Sequence, residues 1–354
     1  MKKVFALILA MAMVLTLCAC GATAPTATAA PAAPADGSSP AADAAPAEVT
    51  TIKLATSFVD THPIVIALKE VAKDIEEKSN GTVKLDIYSA GALGSNSEIA
   101  QQMIAGEIDA VIAGACDNFA SYNPLLYVED LPFLFSDYDT AHAAYDGEYG
   151  QALAEMIDAV GCHTVSFWEN GFRQVTNNVR PVTSPSDMAG LKMRAANATL
   201  FIKIFECLNC TVTMVDMTEL FSALQQGMVD GQENPLTTIL TSSFYEVQKY
   251  CTLTNHIYLS CPVVFNQDLW DGYGEDVQAI LTEAFTAGRD NQRAINRDVA
   301  DSAINELKEN GMQVDEVADF DEWVTALAPV WDYFKDEYGA EGKALIEIAT
   351  SSTK

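Results

Sequence analysis

Six arginines stand among 354 residues, and none precedes Arg173. Arg173 and Arg194 then fall 21 residues apart, each where the local pattern reads as a strand end: apolar HTVSFW runs into ENGFR, and GLKMR follows the turn-forming SPSDMAG. With 49 Asp and Glu against 20 Lys and Arg, the chain carries a formal charge of -29, so most of its surface repels anions. Two guanidinium forks facing one cleft would make a local exception, suited to a bidentate grip on a carboxylate. The alternative is that each arginine pairs with a neighbouring acid.

Other polar residues fall where they can join such a site. Asn197 follows Arg194 by three residues, at the start of a helix opened by AANATL, where it either caps the helix or turns its amide toward an anion held at that N-terminus. Asn234 lies between Gly231 and Pro235 in a constrained turn or short strand, and its amide both donates and accepts. His62 precedes Pro63 at a helix entrance, as a cap or as a ligand contact. Asn170 stands beside Gly171, where the backbone can approach a ligand. The histidines have no metal spacing, no nucleophile has an evident base partner, and no motif specifies acid/base chemistry. No cofactor, metal or catalytic residue is expected.

The elements that must position these residues have an α/β order. Strand patterns at 49–57, 81–88 and 109–113 alternate with helices at 63–79 and 97–106, and a helix at 153–159 precedes a strand at 163–167. A second unit begins around Gly171, with strands at 190–193, 211–214 and 228–230 and helices at 198–208 and 219–226. This is too much for one compact core, so two lobes with a crevice are expected. Ligands of open parallel sheets lie beyond the carboxyl ends of the strands, where Ser57, Arg173, Arg194 and Asn234 fall. The last third is helical; Arg289, Arg293 and Arg297 at four-residue steps among acids read as a salt-bridged solvent face rather than a DNA-binding stripe.

The first 20 residues carry Lys2 and Lys3 and then an apolar run ending in LCACG, an export signal with a bacterial lipobox. Residues 1–19 read as the signal peptide and Cys20 as the acylated residue; Cys18 would put bulky Leu17 at the cleavage position. Removing Lys2 and Lys3 takes the formal charge from -29 to -31. Residues 20–48 then form the lipidated cysteine and a tether of Ala, Pro, Thr and Ser with nothing large to bury. So acidic a surface argues against nucleic acid or an anionic bilayer as a direct partner. Of the six later cysteines, Cys207 and Cys210 form a CxxC that either closes a small disulfide or stays reduced.

Three blocks, NGFRQVTNNVRPVTSPSDMAGLKMR, ELFSALQQGMVDGQENPLTTI and FYEVQKYCTLTNH, together with the earlier AGALGSNSEIAQQMIAGEIDA, closely resemble DctP-type solute-binding proteins of TRAP transporters. The resemblance runs from about Ile52 to near Ile346. It implies a two-lobed periplasmic-binding-protein-like α/β fold with a hinge, an interlobe ligand cleft and a helical C-terminal part. Lobe I is then 49–170 with about 260–300, and lobe II about 171–259 with 301–347. It also implies a monomer on the outer face of the cell membrane, held there by lipid, that binds a small organic acid for a TRAP membrane permease. By match to the family's blocks, Arg194, Arg173, Asn197 and Asn234 become ligand residues, as do Ser57 and Asn96 of the first lobe. Where the sialic-acid receptors of the family have a glutamate, a nearby arginine and a ring-packing aromatic, this chain has Gly114, Asp117 and Met217, which favours a C4-dicarboxylate or a sugar acid such as a uronate. An ABC-type importer receptor and a sensor feeding a receptor kinase would share the lobes and cleft; an enzyme would need a paired acid and base.

Overall fold

The computed structural model describes residues 49–351, so the export segment, Cys20 and the tether lie outside the described residues. Strand β1 (Thr50–Ala55) buries Ile52 and Leu54 and pairs in parallel with β2 (Val83–Tyr88) and β3 (Ala110–Ile112). Helix α1 (Pro63–Lys78) starts on Pro63 at its first turn, a position that has no intrahelical acceptor to lose, and the Nδ1 of His62 accepts from the Ile64 N–H at 3.2 Å. The buried stripe Ile64, Val65, Leu68, Val71 and Ile75 docks it on the sheet. Helices α2 (Asn96–Ile104), α3 (Tyr138–Tyr145) and α4 (Glu148–Asp158) lead into β4 (Cys162–Asn177).

Strand β4 joins the two halves of the molecule. Residues 162–172 pair antiparallel with β9 (Tyr258–Asn266), which in turn pairs with β3. From Arg173 onward the same strand pairs with β7 (Gly231–Pro235), and from Val175 also with β8 (Tyr250–Leu253). β7 leads on through β5 (Lys192–Ala195) to β6 (Thr211–Met214), giving the order β2-β1-β3-β9-β4-β7-β5-β6, with β10 (Gln313–Glu316) on β8. The sheet is therefore mixed, not wholly parallel. Helices α5 (Thr199–Cys207), α6 (Met217–Gln225) and α7 (Leu236–Thr241) cover the second half, and the short α8 (Gln267–Gly272) follows β9. Helix α9 (Glu275–Glu309) is 35 residues long, about 50 Å at the usual rise, and packs on α1 and β4 and then on α7 and β10. Helix α10 (Phe320–Ser351), broken at Gly339, lies against α5 and against α3 and α4.

Several sequence expectations shift. The strand expected at 228–230 is at Gly231–Pro235: Gly227 ends α6 in the left-handed region, and Met228 is exposed. Pairing starts at Gly231 because the backbones close there; a Cβ on Gly231 would lie 2.2 Å from the Thr176 carbonyl. The strand expected at 190–193 is Lys192–Ala195, after a turn through Gly190 at φ 79°. The strand expected at 163–167 is more than twice that length, and Gly171 and Arg173 sit inside it rather than at a boundary or a strand end. The α9 arginines are salt-bridged in part as expected, but not all on a solvent face: Arg289 is partly exposed and pairs with Asp290 and Asp146, whereas Arg293 is buried, with Nη1 2.7 Å from Asp146 Oδ2, and Arg297 stacks 3.9 Å over the Tyr138 ring. The six cysteines among the described residues, Cys207 and Cys210 included, are free thiols.

Candidate ligand-binding site

One cavity gathers Ser57, Asn96, Asn170, Arg173, Arg194 and Asn234, with about 460 Å³ of empty space once its open mouth is included. The elements bring them from distant parts of the chain. Ser57 follows β1, Asn96 opens α2, Asn170 and Arg173 lie on β4, Arg194 on β5 and Asn234 on β7. The turn after β3 adds Gly114, Asp117 and Asn118, and Phe201 of α5 and Met217 of α6 complete much of the wall.

The two arginines are not equivalent. Arg194 is 4% exposed, and its Nε donates to the Val215 carbonyl at 2.8 Å. Its two terminal nitrogens have no partner among the described residues, and it forms no ion pair there. Burial brings its guanidinium down to about 10, opposed by the fields of Glu233 and Asp216, so it stays charged at neutral pH. Arg173 is already held: its Nε pairs with Glu233 Oε2, and Nη2 reaches Glu233 Oε1 at 2.9 Å, the Glu233 carbonyl at 2.8 Å and Asn234 Oδ1 at 3.0 Å. Burial raises the Glu233 carboxyl, but Arg173 and His256 outweigh it and hold the group below its ordinary value. Arg173 keeps Nη1 free and rests 5.3 Å from the centre of the Phe201 ring. Both arginines were expected to offer a fork. Only Arg194 offers an open one.

Asp117 faces both guanidinium groups from the turn after β3. Burial pushes its carboxyl up to about 6 against the pull of Arg173 and Arg194. Its Oδ1 accepts from Asn118 Nδ2 at 2.7 Å. Asn170 donates to the Gly114 carbonyl at 2.8 Å, and Asn96 packs over Gly114. The Asn234 amide is used on both sides, by Arg173 and by Gln232. His62 is buried in an adjoining cavity rather than this one, its Nε2 3.3 Å from Thr238 Oγ1, and Thr238 lines both. Asn197 is outside: its side chain is exposed, it does not line the cavity, and Ala198 occupies the cap position of α5. The loop after β5 therefore presents Ala196 to the cavity instead. Glu233 escaped the sequence reading altogether; the signal for it is its register, paired with Val175 across β4 and so two residues along from Arg173 on the same face.

The model of bacterial extracellular solute-binding proteins of family 7, DctP, matches residues 54–337. The chain belongs to the DctP family. Similarity to individual members spans most of each partner. A solute-binding protein of Verminephrobacter eiseniae is 34% identical over 306 residues, 86% of this chain and 89% of the relative. The C4-dicarboxylate-binding periplasmic protein DctP of Rhodobacter capsulatus is 32% identical over 287 residues, 78% and 84% of the two chains. Among solved structures, the sugar acid binding protein of Advenella mimigardefordensis in complex with galactonate superposes with a TM-score of 0.83 at 30% identity, over 86% of this chain and 99% of that one. This DctP-family protein thus has the two-lobed periplasmic-binding fold, and it is a binding protein rather than an enzyme. Members of the family work outside the cytoplasm. No helix among the described residues is long and apolar enough to cross a membrane, and no group of three or more His, Cys, Asp or Glu there is arranged to hold a metal. What the cavity can do is hold an anion. A buried guanidinium with two open donors meets a carboxylate in its own plane.

Proposed function

We propose that this protein captures a small organic acid, a C4-dicarboxylate or a sugar acid, outside the cytoplasm and delivers it to a TRAP-type membrane permease. The observation that carries this reading is the buried Arg194, which lines the cavity and whose terminal nitrogens have no acceptor among the described residues. A buried charge without a partner is costly, and a ligand carboxylate offsets that cost with two charge-assisted bonds. The lobes that close over it are proposed as 49–170 with about 260–300 and about 171–259 with 301–347. Gly91, after β2, already touches α6 of the second lobe: a Cβ there would lie 2.5 Å from Thr218 Cγ2. Contacts that need both lobes shift the population toward the closed form, which a permease can read. The lipobox before Cys20 supports tethering of a monomer to the outer face of the membrane by an N-terminal lipid.

The test is calorimetric titration of acids into the wild type and Arg194→Ala. The variant is expected to lose roughly 2–5 kcal/mol of binding free energy. Its melting temperature should change little, because relief of a desolvated guanidinium offsets the loss of the hydrogen bond to the Val215 carbonyl. Unchanged affinity would refute the assignment.

A further inference from the structure

The cavity that holds Arg194 adjoins a second, and Ser57, Phe58, Met217 and Thr238 line both. The second has about 640 Å³ of empty space, mouth included. Its walls are apolar at Phe221 and Phe244 and polar but uncharged at Thr218 and Ser242; no acidic or basic side chain other than His62 lines it. Burial lowers the His62 imidazole to about 3, so that group is neutral too. All the charge sits at the other end. There Arg173 and Arg194 meet Asp117, with Glu233 clamped on Arg173: two cations and two carboxylates. One ligand carboxylate completes the open pair of Arg194 nitrogens. A second would find no open fork at the charged end, where Asp117 and Glu233 repel it, and no cation at the neutral end.

The cavity that holds Arg194 also carries two amide oxygens that lack a hydrogen-bond donor. Asn170 is 4% exposed, and its Nδ2 donates to the Gly114 carbonyl, which fixes the orientation of the amide. Its Oδ1 is buried with no partner among the described residues. Asn96 Oδ1 is unpartnered in the same way, on the other side of Gly114. Buried acceptors of this kind need a proton donor. An ionised carboxylate has none to give, whereas a hydroxyl does.

We infer that the ligand is a monocarboxylate with hydroxyl groups on an uncharged chain longer than four carbons, an aldonate- or uronate-type acid, and that the site discriminates against C4-dicarboxylates. This rests on the cleft being the acid-binding site proposed above. Its carboxylate lies on Arg194, its hydroxyls donate to Asn170 and Asn96, and its neutral end enters the second cavity.

Calorimetric titration of the purified protein with D-galactonate, D-glucuronate and succinate tests it. At least one hydroxy acid is expected to bind at least about tenfold more tightly than succinate. Asn96→Ala, which removes no protein hydrogen bond and places a good helix former at the start of α2, should weaken that hydroxy acid about fivefold or more while leaving succinate within about twofold. Succinate binding as tightly as the hydroxy acids, or Asn96→Ala weakening all three alike, would overturn the inference while leaving acid capture intact. Binding of all three that is indifferent to Arg194→Ala would instead remove the acid-site reading itself.

Discussion

Gly114 has no side chain, and the cavity is built on that absence. A Cβ at this position would lie 2.7 Å from Asn96 Nδ2, the free end of a side chain that can swing away, while the Gly114 carbonyl receives Asn170. Gly114→Ala is therefore expected to leave stability nearly unchanged and to cost about 1 kcal/mol or more of ligand affinity by displacing the Asn96 amide. Thermal melting and calorimetry on the same preparation check both halves; loss of stability with affinity retained would show that Gly114 serves the backbone alone. The residue scale also shows what the sequence carries and what it hides. Arg194 is legible because guanidinium groups are rare in this chain, so one at a strand end stands out. Glu233 and the charge state of Asp117 are not, because an acid among 49 acids carries no signal until a strand register sets it against Arg173.

Where β4 passes from one half of the molecule to the other, its pairing with β9 slips between Glu169 and Gly171. Gln292 of α9 takes the place of a strand partner there, accepting from the Glu169 N–H at 2.9 Å and donating to the Glu169 carbonyl at 2.8 Å. Replacing it with leucine leaves two buried backbone groups unpaired, and Gln292→Leu should destabilise the fold by about 2–5 kcal/mol. Chemical denaturation measures this directly, and a change under about 0.5 kcal/mol would mean that the bulge is held by other contacts. Such an element is hard to read from sequence. The helices and outer strands announce themselves by apolar period, as α1 does, but the middle of β4 runs through buried Glu169, Asn170, Arg173 and Gln174, whose polarity mimics a loop. Their burial is set by α9 and β7, which arrive more than 50 residues later. The same distance explains the α9 arginines: their acidic neighbours on the helix are visible in the sequence, while Tyr138 on α3 and Asp146 just after it become partners only in the fold.

Across the whole molecule, buried carboxyl groups tie stability to pH. Burial pushes Glu129 up to about 7, with the Asp117 charge adding to it, and Asp117 itself up to about 6; Asp130, with both oxygens unpartnered among the described residues, is raised well above its ordinary value. Each binds a proton more readily folded than unfolded, so each contributes stability that is present at low pH and lost as pH rises through its folded value. His62 acts in the opposite sense below about 6.5, since it must stay neutral in the fold. The formal charge of -29 adds self-repulsion that protonation relieves. The melting temperature is accordingly expected to rise by a few degrees from pH 8 to about pH 5.5. A curve that falls over that interval would mean that these carboxyls are solvated or paired in solution. The account as a whole turns on one contact between this molecule and its cargo. A crystal structure of the protein with a bound hydroxy acid should place the two carboxylate oxygens within about 3 Å of the two terminal nitrogens of Arg194, between the lobes. A carboxylate seated elsewhere, with those nitrogens still unpaired, would contradict it.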